Sequence, residues 1–547
     1  MRTYRDMVPT FADQGEWNLP HILRARAASH GDRVYLDVPG DDVRLTYAET
    51  LDLAERGAAA LLRNGEPGDR VLIMSANRAE VILGWFSAAL AGMAEVPINT
   101  AYSGSFLEHQ VRTTSPRFAI LEPGFAERFD AGNAAYASIE IVYVLEGEGE
   151  AAAIEHLKSI GWDARPWRTL LEGGVAELPE VRTKDLACIL FTSGTTGLSK
   201  GVMMSHGQME FFADECVSLT RLTDADVYMS VGPLFHGNAQ FLAAYPALIA
   251  GARFVLRPRF SPSNWAAQIR DCGATVTNFV GVMMDWTWKQ PEREDDADND
   301  LRCIFAAPTA SSIVDRFKER FGVEAFVEVF GLTETSMPIL SPYGVDRPAG
   351  AAGLLAEDYF EVRLVDPETD AEVPTGEVGE LTVRAKLPWT MCSGYYNMPE
   401  KTAEAQRNLW FHTGDGLRQD EDGWFYFVDR LKDTIRRRGE NISSFDVESA
   451  VIAHDAVAEC AAYAVPDGFG GDDVMVAIIA ADPSQPPQPA ELFAFLEASM
   501  PAHMIPRYVD VVGEIPRNAT TLRVQKFVLR ERGVTATTWD RTTPSGW

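Results

Sequence analysis

Between an apolar run, Leu186 to Phe191, and a helical segment that starts near Ser205 lies the string LFTSGTTGLSKG, Leu190 to Gly201. The run before the string has the length and composition of a buried strand. Gly194 and Gly197 permit positive φ and a close approach of backbone to a ligand. Consecutive backbone N–H groups in such a loop form an anion-binding nest. Ser193, Thr195 and Thr196 add hydroxyls, and Lys200 adds a charge. The pattern is not GxxxxGK[ST], because Ser199 precedes the lysine and Gly201 follows it. A string of this composition also suits a flexible surface loop, so composition alone leaves both readings open.

The string is embedded in strand–helix alternation. Arg70 to Met74 reads as a strand, Asn77 to Met93 as a helix with Val81, Ile82, Trp85, Phe86 and Ala89 at helical spacing, and Ala94 to Ile98 as a strand. That is a βαβ unit, hence parallel sheet. Upstream, a helix is expected over 17–35, and Thr46 with Glu49 reads as a capping box. Beyond the loop, strands are expected at 227–231, 253–256, 275–280, 301–306 and 325–329, with helices at 238–250, 262–272 and 311–321. Repeated units of this kind mean α/β layers. The run PEREDDADND, Pro291 to Asp300, reads as a solvated loop.

From about Asp358 the texture changes. Phe360 to Val365, Glu380 to Arg384 and Trp424 to Val428 read as strands, the first two with the alternation of half-exposed antiparallel pairs. The tail holds helices at 445–452 and 491–499, strands at 460–465 and 474–479, and a Pro-rich linker at 483–489, which reads as one compact α+β domain. A chain of 547 residues exceeds one ordinary core. A net charge of −30 argues against nucleic acid and anionic membrane surfaces as partners. The six cysteines form no CxxC pair, which fits a reduced interior better than a disulfide or zinc framework. No apolar signal region opens the chain, and the most apolar stretch, Phe241 to Leu256, is interrupted by Arg253 and too short to span a bilayer. The expected compartment is the cytoplasm.

Further strings carry groups suited to a nucleotide. Val329 to Thr335 reads VFGLTET. Phe330 offers a face for a base, Gly331 a close approach, Thr333 a phosphate donor and Glu334 an oxygen ligand for a hard cation. Alone, this is also a strand end with a polar cap. In WFHTGD, Trp410 to Asp415, the carboxylate can accept from two hydroxyls, although Gly-Asp is equally common in turns. Arg436 to Arg438 are three arginines followed by Gly439, a set that suits phosphates or a basic turn. GPLFHGN, Gly232 to Asn238, sits between a strand and a helix, and FAAPT, Phe305 to Thr309, follows another strand.

Taken together and in this order, these strings resemble the acyl-adenylate-forming superfamily, which comprises acyl- and aryl-CoA synthetases, nonribosomal adenylation domains and luciferases. RRRGENIS, HGNAQ and LRERGVTATTWDR resemble its carnitine/crotonobetaine-CoA-ligase-like branch. The resemblance covers nearly the whole chain. It implies a large N-terminal α/β domain of layered subdomains with a small β-barrel over 1–430, and a small mobile α+β domain over 431–547, with a hinge near 430–433 at Lys432. It implies ATP, Mg2+ and CoA as cofactors, a small-molecule acid as substrate and a homodimer at the family level. Thr192 to Gly197 and Lys200 would hold phosphates. Phe330, Gly331, Ala307 and Pro308 would border the adenine, Asp415 and Arg430 the ribose, and Glu334 the metal. Thr333 would act beside Lys200 in catalysis. His236, Asn238, Ala239 and Gln240 would line the acid pocket, and Arg438 and Gly439 would face CoA.

One departure stands out. The family ends on a lysine in a PRTxxGK-like string, and here the string is IPRNATTLRVQK, Ile515 to Lys526. One register places Leu522 at the lysine's position and the other places Arg523 there. Arg523 keeps the charge as a planar fork rather than a point charge. It is the expected substitute, with Lys526 structural. The departure keeps in view an adenylating enzyme that activates nitrite for transfer to an aminoaryl acid without CoA; a nucleotide-binding pseudoenzyme that retained the fold is the non-enzyme alternative.

Overall fold

The computed structural model describes residues 3–130, 133–174, 176–192, 199–280, 283–307, 309, 313–341, 343–431, 433, 435–437, 440–467, 472–517 and 524–542. The chain divides into two compact units, Met1–Val362 with Val383–Phe411, and Arg363–Thr382 with His412–Trp547.

The first unit is built on two seven-stranded sheets. One runs in the order Asp163–Pro166, Ile141–Val144, Phe118–Leu121, Arg70–Met74, Ala94–Pro97, Leu186–Thr192, Lys200–Ser205. Its pairs are parallel except the last, where Thr192 stands opposite Lys200 and Leu186 opposite Ser205. The other runs Ala325–Val327, Cys303–Ala307, Val276–Val280, Val227–Ser230, Arg253–Leu256, Val34–Val38, Val43–Thr46, again parallel save for the final pair. Near-continuous apolar strands such as Val71 to Met74 are buried on both faces, as parallel sheets require. The Thr46–Glu49 capping box is present in full and starts the helix Tyr47–Leu62.

Several expectations are corrected. The first helix covers Leu19–His30 and not 17–35. Gly31 and Asp32 end it, and Val34–Val38 then joins the second sheet. The glycine-rich loop joins two antiparallel strands, because Lys200–Ser205 pairs back along Leu186–Thr192. The helix starts only at His206, with the Ser205 side chain accepting from the Gln208 N–H as its N-cap. The segment expected as one helix over 238–250 is a short turn Gly237–Ala239, a π-helical stretch Gln240–Ala244 and a helix Tyr245–Ala250. The acidic run 291–300 is not wholly solvated. Asp296 is buried and pairs with Arg320 at 2.7 Å.

The second unit contains the greater part of a sheet ordered Phe360–Val365, Val378–Ala385, Phe411–Gln419, Phe425–Arg430. Its C-terminal part is a four-stranded sheet, Val457–Pro466, Asp472–Ala480, Tyr508–Val511 and Trp539–Asp540. The helices Ser444–Ile452 and Pro489–Ser499 bury Val447, Val451, Leu492 and Leu496 against Val474, Val476 and Ile478. By its contacts, the stretch 412–430 groups with the tail, so the segment 430–433 lies inside this unit. Among the described residues, no helix is long and apolar enough to cross a membrane.

Candidate active site

The stem of the glycine-rich loop is fixed by its neighbours. Thr192 and Lys200 face each other across the antiparallel pair. The Ser199 carbonyl oxygen lies 2.8 Å from His109 Nε2, and its hydroxyl 3.3 Å from Gln110 Nε2. The tight antiparallel pair Val329–Leu332 and Ser336–Leu340 places Thr333 and Glu334 in its turn. Only glycine fits at 331, because a Cβ there would stand 2.2 Å from the Ser336 carbonyl oxygen. The turn is closed by the Thr335 N–H donating to the Leu332 carbonyl at 3.1 Å, with Ser336 at φ 56°. Gln208, buried on the helix after the loop, donates to the Thr333 carbonyl at 2.8 Å. This bond ties the helix that follows the loop to the turn that carries Thr333 and Glu334. Phe330 is half-buried, paired in register with Ile339.

Glu334 is 7% exposed, and three groups converge on it. Thr192 Oγ1 lies 3.4 Å and the Tyr395 hydroxyl 3.0 Å from Oε1. The Cys392 N–H donates to its backbone carbonyl at 2.9 Å. Lys200 Nζ lies 3.2 Å from the same Tyr395 hydroxyl and 4.2 Å from the ring centroid. Burial, followed by the Glu334 charge, pushes the phenol well above its ordinary pKa. Tyr395 is absent from the sequence-derived set. It reaches the site because 393–396 pairs along Gly201–Met203, with the Ser393 N–H donating to the Met203 carbonyl and the Tyr396 N–H to the Gly201 carbonyl. The available signal is Gly394, at φ 110°, in the string SGYYN before a Pro-initiated helix. A carboxylate and a hydroxyl are hard oxygen donors of the kind Mg2+ takes alongside substrate phosphates, so Glu334 and Thr192 fit that cation.

His236 precedes the turn Gly237–Ala239, and its Nδ1 accepts from the Asn238 N–H at 3.1 Å. Asn238 is held by the Asn278 side chain at 2.6 Å. Ala239 and Gln240 are fully buried, and Gln240 Nε2 donates to both carboxyl oxygens of Glu95, at 3.0 and 3.2 Å. Glu95 lies inside the first sheet, and burial pushes its pKa up to about 8. Ala307 ends the strand Cys303–Ala307, opposite Val280.

In the second unit, Asp415 and Arg430 are partners across the antiparallel pair Phe411–Gln419 and Phe425–Arg430. Asp415 is 1% exposed, and Arg430 Nε lies 2.8 Å from its Oδ1. Gly414 takes a positive φ of 71°, and its N–H donates to Glu380 Oε1 at 3.0 Å. Lys526 forms an ion pair with the Glu448 carboxylate at 2.8 Å inside this unit. Ser193, Gly194, Thr195, Thr196, Gly197, Pro308, Lys432, Arg438, Gly439 and Arg523 lie outside the described residues.

The model of the AMP-binding enzyme family matches residues 23–396, and that of the AMP-binding enzyme C-terminal domain matches 446–521. The chain belongs to the AMP-binding enzyme family. Among curated relatives, this AMP-binding enzyme is 31% identical to the crotonobetaine/carnitine–CoA ligase of Salmonella typhi over 525 residues, covering 94% of this chain and 99% of that one. Among solved structures it resembles ATP-bound MatB from Rhodopseudomonas palustris with a TM-score of 0.81 at 27% identity, covering 94% and 99% of the two chains. An anthranilate CoA ligase, AuaEII, in complex with anthranoyl-AMP shares the fold, with a TM-score of 0.82 at 24% identity and coverage of 94% and 97%. The fold class read from the sequence is the one these structures share.

Proposed function

We propose that this AMP-binding enzyme activates a carboxylic acid with ATP and transfers the acyl group to CoA. The observation that carries the reading is the cluster of Thr192, Glu334 and Lys200 at the stem of a glycine- and hydroxyl-rich loop. It offers a cation and hard oxygen donors beside a backbone suited to phosphate. The relatives' names support the same chemistry, since they include a crotonobetaine/carnitine–CoA ligase and an anthranilate CoA ligase bound to anthranoyl-AMP. Nitrite activation and a nucleotide-binding pseudoenzyme draw no support from either source.

In this reading the loop 192–197 and Lys200 hold the β and γ phosphates. Phe330 stacks on the adenine beside Ala307 and Pro308, and Asp415 with Arg430 holds the ribose. His236 and Asn238 stand at the mouth of the acid pocket, with Ala239 and Gln240 behind them. The carboxylate oxygen attacks the α-phosphorus, the bond to the bridging oxygen breaks, and pyrophosphate leaves with acyl-AMP formed. Lys200 and the Thr333 hydroxyl offset the charge that grows on the phosphate oxygens. Glu334 would hold Mg2+, which would supply Lewis-acid neutralisation of that charge. Arg523 stands in for the family lysine between the carboxylate and the α-phosphate. The tail, residues 431–547, then turns about Lys432 to bring Arg438 and Gly439 to CoA. The thiolate attacks the acyl carbonyl and AMP leaves. Six unpaired cysteines are consistent with a reducing cytoplasm.

Acid-dependent exchange of radiolabelled pyrophosphate into ATP tests the first half-reaction. A panel of aliphatic and aryl acids is expected to contain one that drives exchange, and Lys200→Ala is expected to reduce it about 100-fold or more. Exchange that proceeds equally well without any acid, or is untouched by Lys200→Ala, would overturn the reading.

A further inference from the structure

The Lys200 ammonium and the Glu334 carboxylate are the two charges that the proposed reaction needs free for phosphate and metal. In a largely buried site such a pair tends to collapse into a direct ion pair, and each new ligand would then have to break it. Among the described residues, Lys200 and Glu334 form no such pair. The Tyr395 side chain stands between them. Its hydroxyl is 3.0 Å from Glu334 Oε1 and 3.2 Å from Lys200 Nζ, and its ring lies under the ammonium at 4.2 Å. Tyr395 is itself 4% exposed, and it is anchored on both sides. Its N–H donates to Thr402 Oγ1 at 2.9 Å, and Val202 bridges to it from the strand that starts at Lys200. Gly394 leaves room for this packing, since a Cβ there would meet Thr402 at 2.7 Å.

We infer that Tyr395 is a positioning residue: a neutral spacer that keeps Lys200 and Glu334 apart and aimed, so that one can turn to phosphate and the other to Mg2+ without first breaking an ion pair. The ring acts on the ammonium alone, while the hydroxyl touches both charges, accepting from Lys200 Nζ and donating to Glu334 Oε1. The ring holds the ammonium through a cation–π contact. The hydroxyl holds the carboxylate through a charge-assisted hydrogen bond. This inference rests on the proposed function, because it assumes that Lys200 and Glu334 serve Mg-ATP.

Titration calorimetry of ATP into the protein, with Mg2+ and with EDTA, separates the two tasks without relying on turnover. Wild type is expected to bind ATP more tightly with Mg2+ than without. Tyr395→Phe keeps the ring, so Mg2+-free affinity should stay within about twofold of wild type. The extra affinity that Mg2+ confers should fall about tenfold, as befits loss of the hydroxyl's hydrogen bond to the Glu334 carboxylate. Tyr395→Leu removes both parts, lets Lys200 reach Glu334, and should weaken Mg2+-free ATP binding about tenfold. Adding Glu334→Gln to Tyr395→Leu removes the collapse partner and should restore the Mg2+-free affinity, which a merely structural role would not do. An unchanged Mg2+ increment in Tyr395→Phe, or a double variant no better than Tyr395→Leu, would overturn the inference and leave the proposed function standing. A wild type that binds no ATP under either condition would bring down both.

Discussion

Glu95 sits in the interior of the first sheet, with no water exposure and a pKa pushed up to about 8 by burial. Its folded pKa exceeds that of the unfolded chain, about 4.3. The folded state therefore keeps a proton that the unfolded state has lost, and the stability this confers is full below the unfolded pKa and lost as pH rises through the folded one. Glu95→Gln carries no such titration, and the Gln240 amide can turn its Oε1, which has no partner among the described residues, toward the new N–H2. Thermal melts should show the variant gaining on wild type as pH rises from about 5 to about 8, with no further gain above that. Parallel pH profiles would refute a neutral Glu95. Legibility at this scale is uneven. Glu334, Lys200 and the Asp415–Arg430 pair are visible because each stands in an ordered string. Tyr395 and Glu95 are not, because a tyrosine or a glutamate carries no local sign of the partner that a distant segment brings to it. Asp296 reads as solvated for the same reason, since its partner Arg320 comes from a helix 24 residues on.

The antiparallel pair around Glu334 shows what an element adds. Gly331→Ala would place a Cβ 2.2 Å from the Ser336 carbonyl oxygen, and neither strand can yield without opening the turn. Pyrophosphate exchange should fall about 100-fold or more, comparable to losing a group that stabilises the transition state. Gly174→Ala, where nothing lies within 4 Å, should leave it unchanged. Equal activity of the two variants would contradict the tight packing of the pair. Most elements are legible from period and punctuation. Arg70–Met74 and the Thr46 capping box stand where apolar pattern and cap chemistry put them. The elements that escape are short strands whose register depends on tertiary neighbours. Lys200–Ser205 exists because Leu186–Thr192 offers it an edge, and Val34–Val38 because Arg253–Leu256 does. The π-helical turn at Gln240–Ala244 has one local signal, Pro246, whose ring would clash with the Leu242 carbonyl in a regular helix.

At the scale of the whole molecule, the segment around 430–433 is tied to the tail by hydrogen bonds that cross it. The Ser444 N–H donates to Asp429 Oδ2 at 2.7 Å, Ser443 Oγ to the Val428 carbonyl at 3.0 Å, and Arg530 to Asp433 at 2.6 Å. If the tail turns about Lys432, the first two bonds must open, because they join residues on either side of it. Asp429→Ala removes a charge-assisted bond of about 1.5–3 kcal/mol. Limited proteolysis between 431 and 442 should then be about 10- to 150-fold faster, because cleavage tracks the population of the opened segment. An unchanged rate would place the motion elsewhere. The most direct test of the central claim is mass spectrometry of one reaction that contains the protein, Mg-ATP, CoA and the panel of acids. AMP and one acyl-CoA thioester in equal amounts is the predicted result. ADP in place of AMP, or AMP with no thioester for any acid, would contradict it.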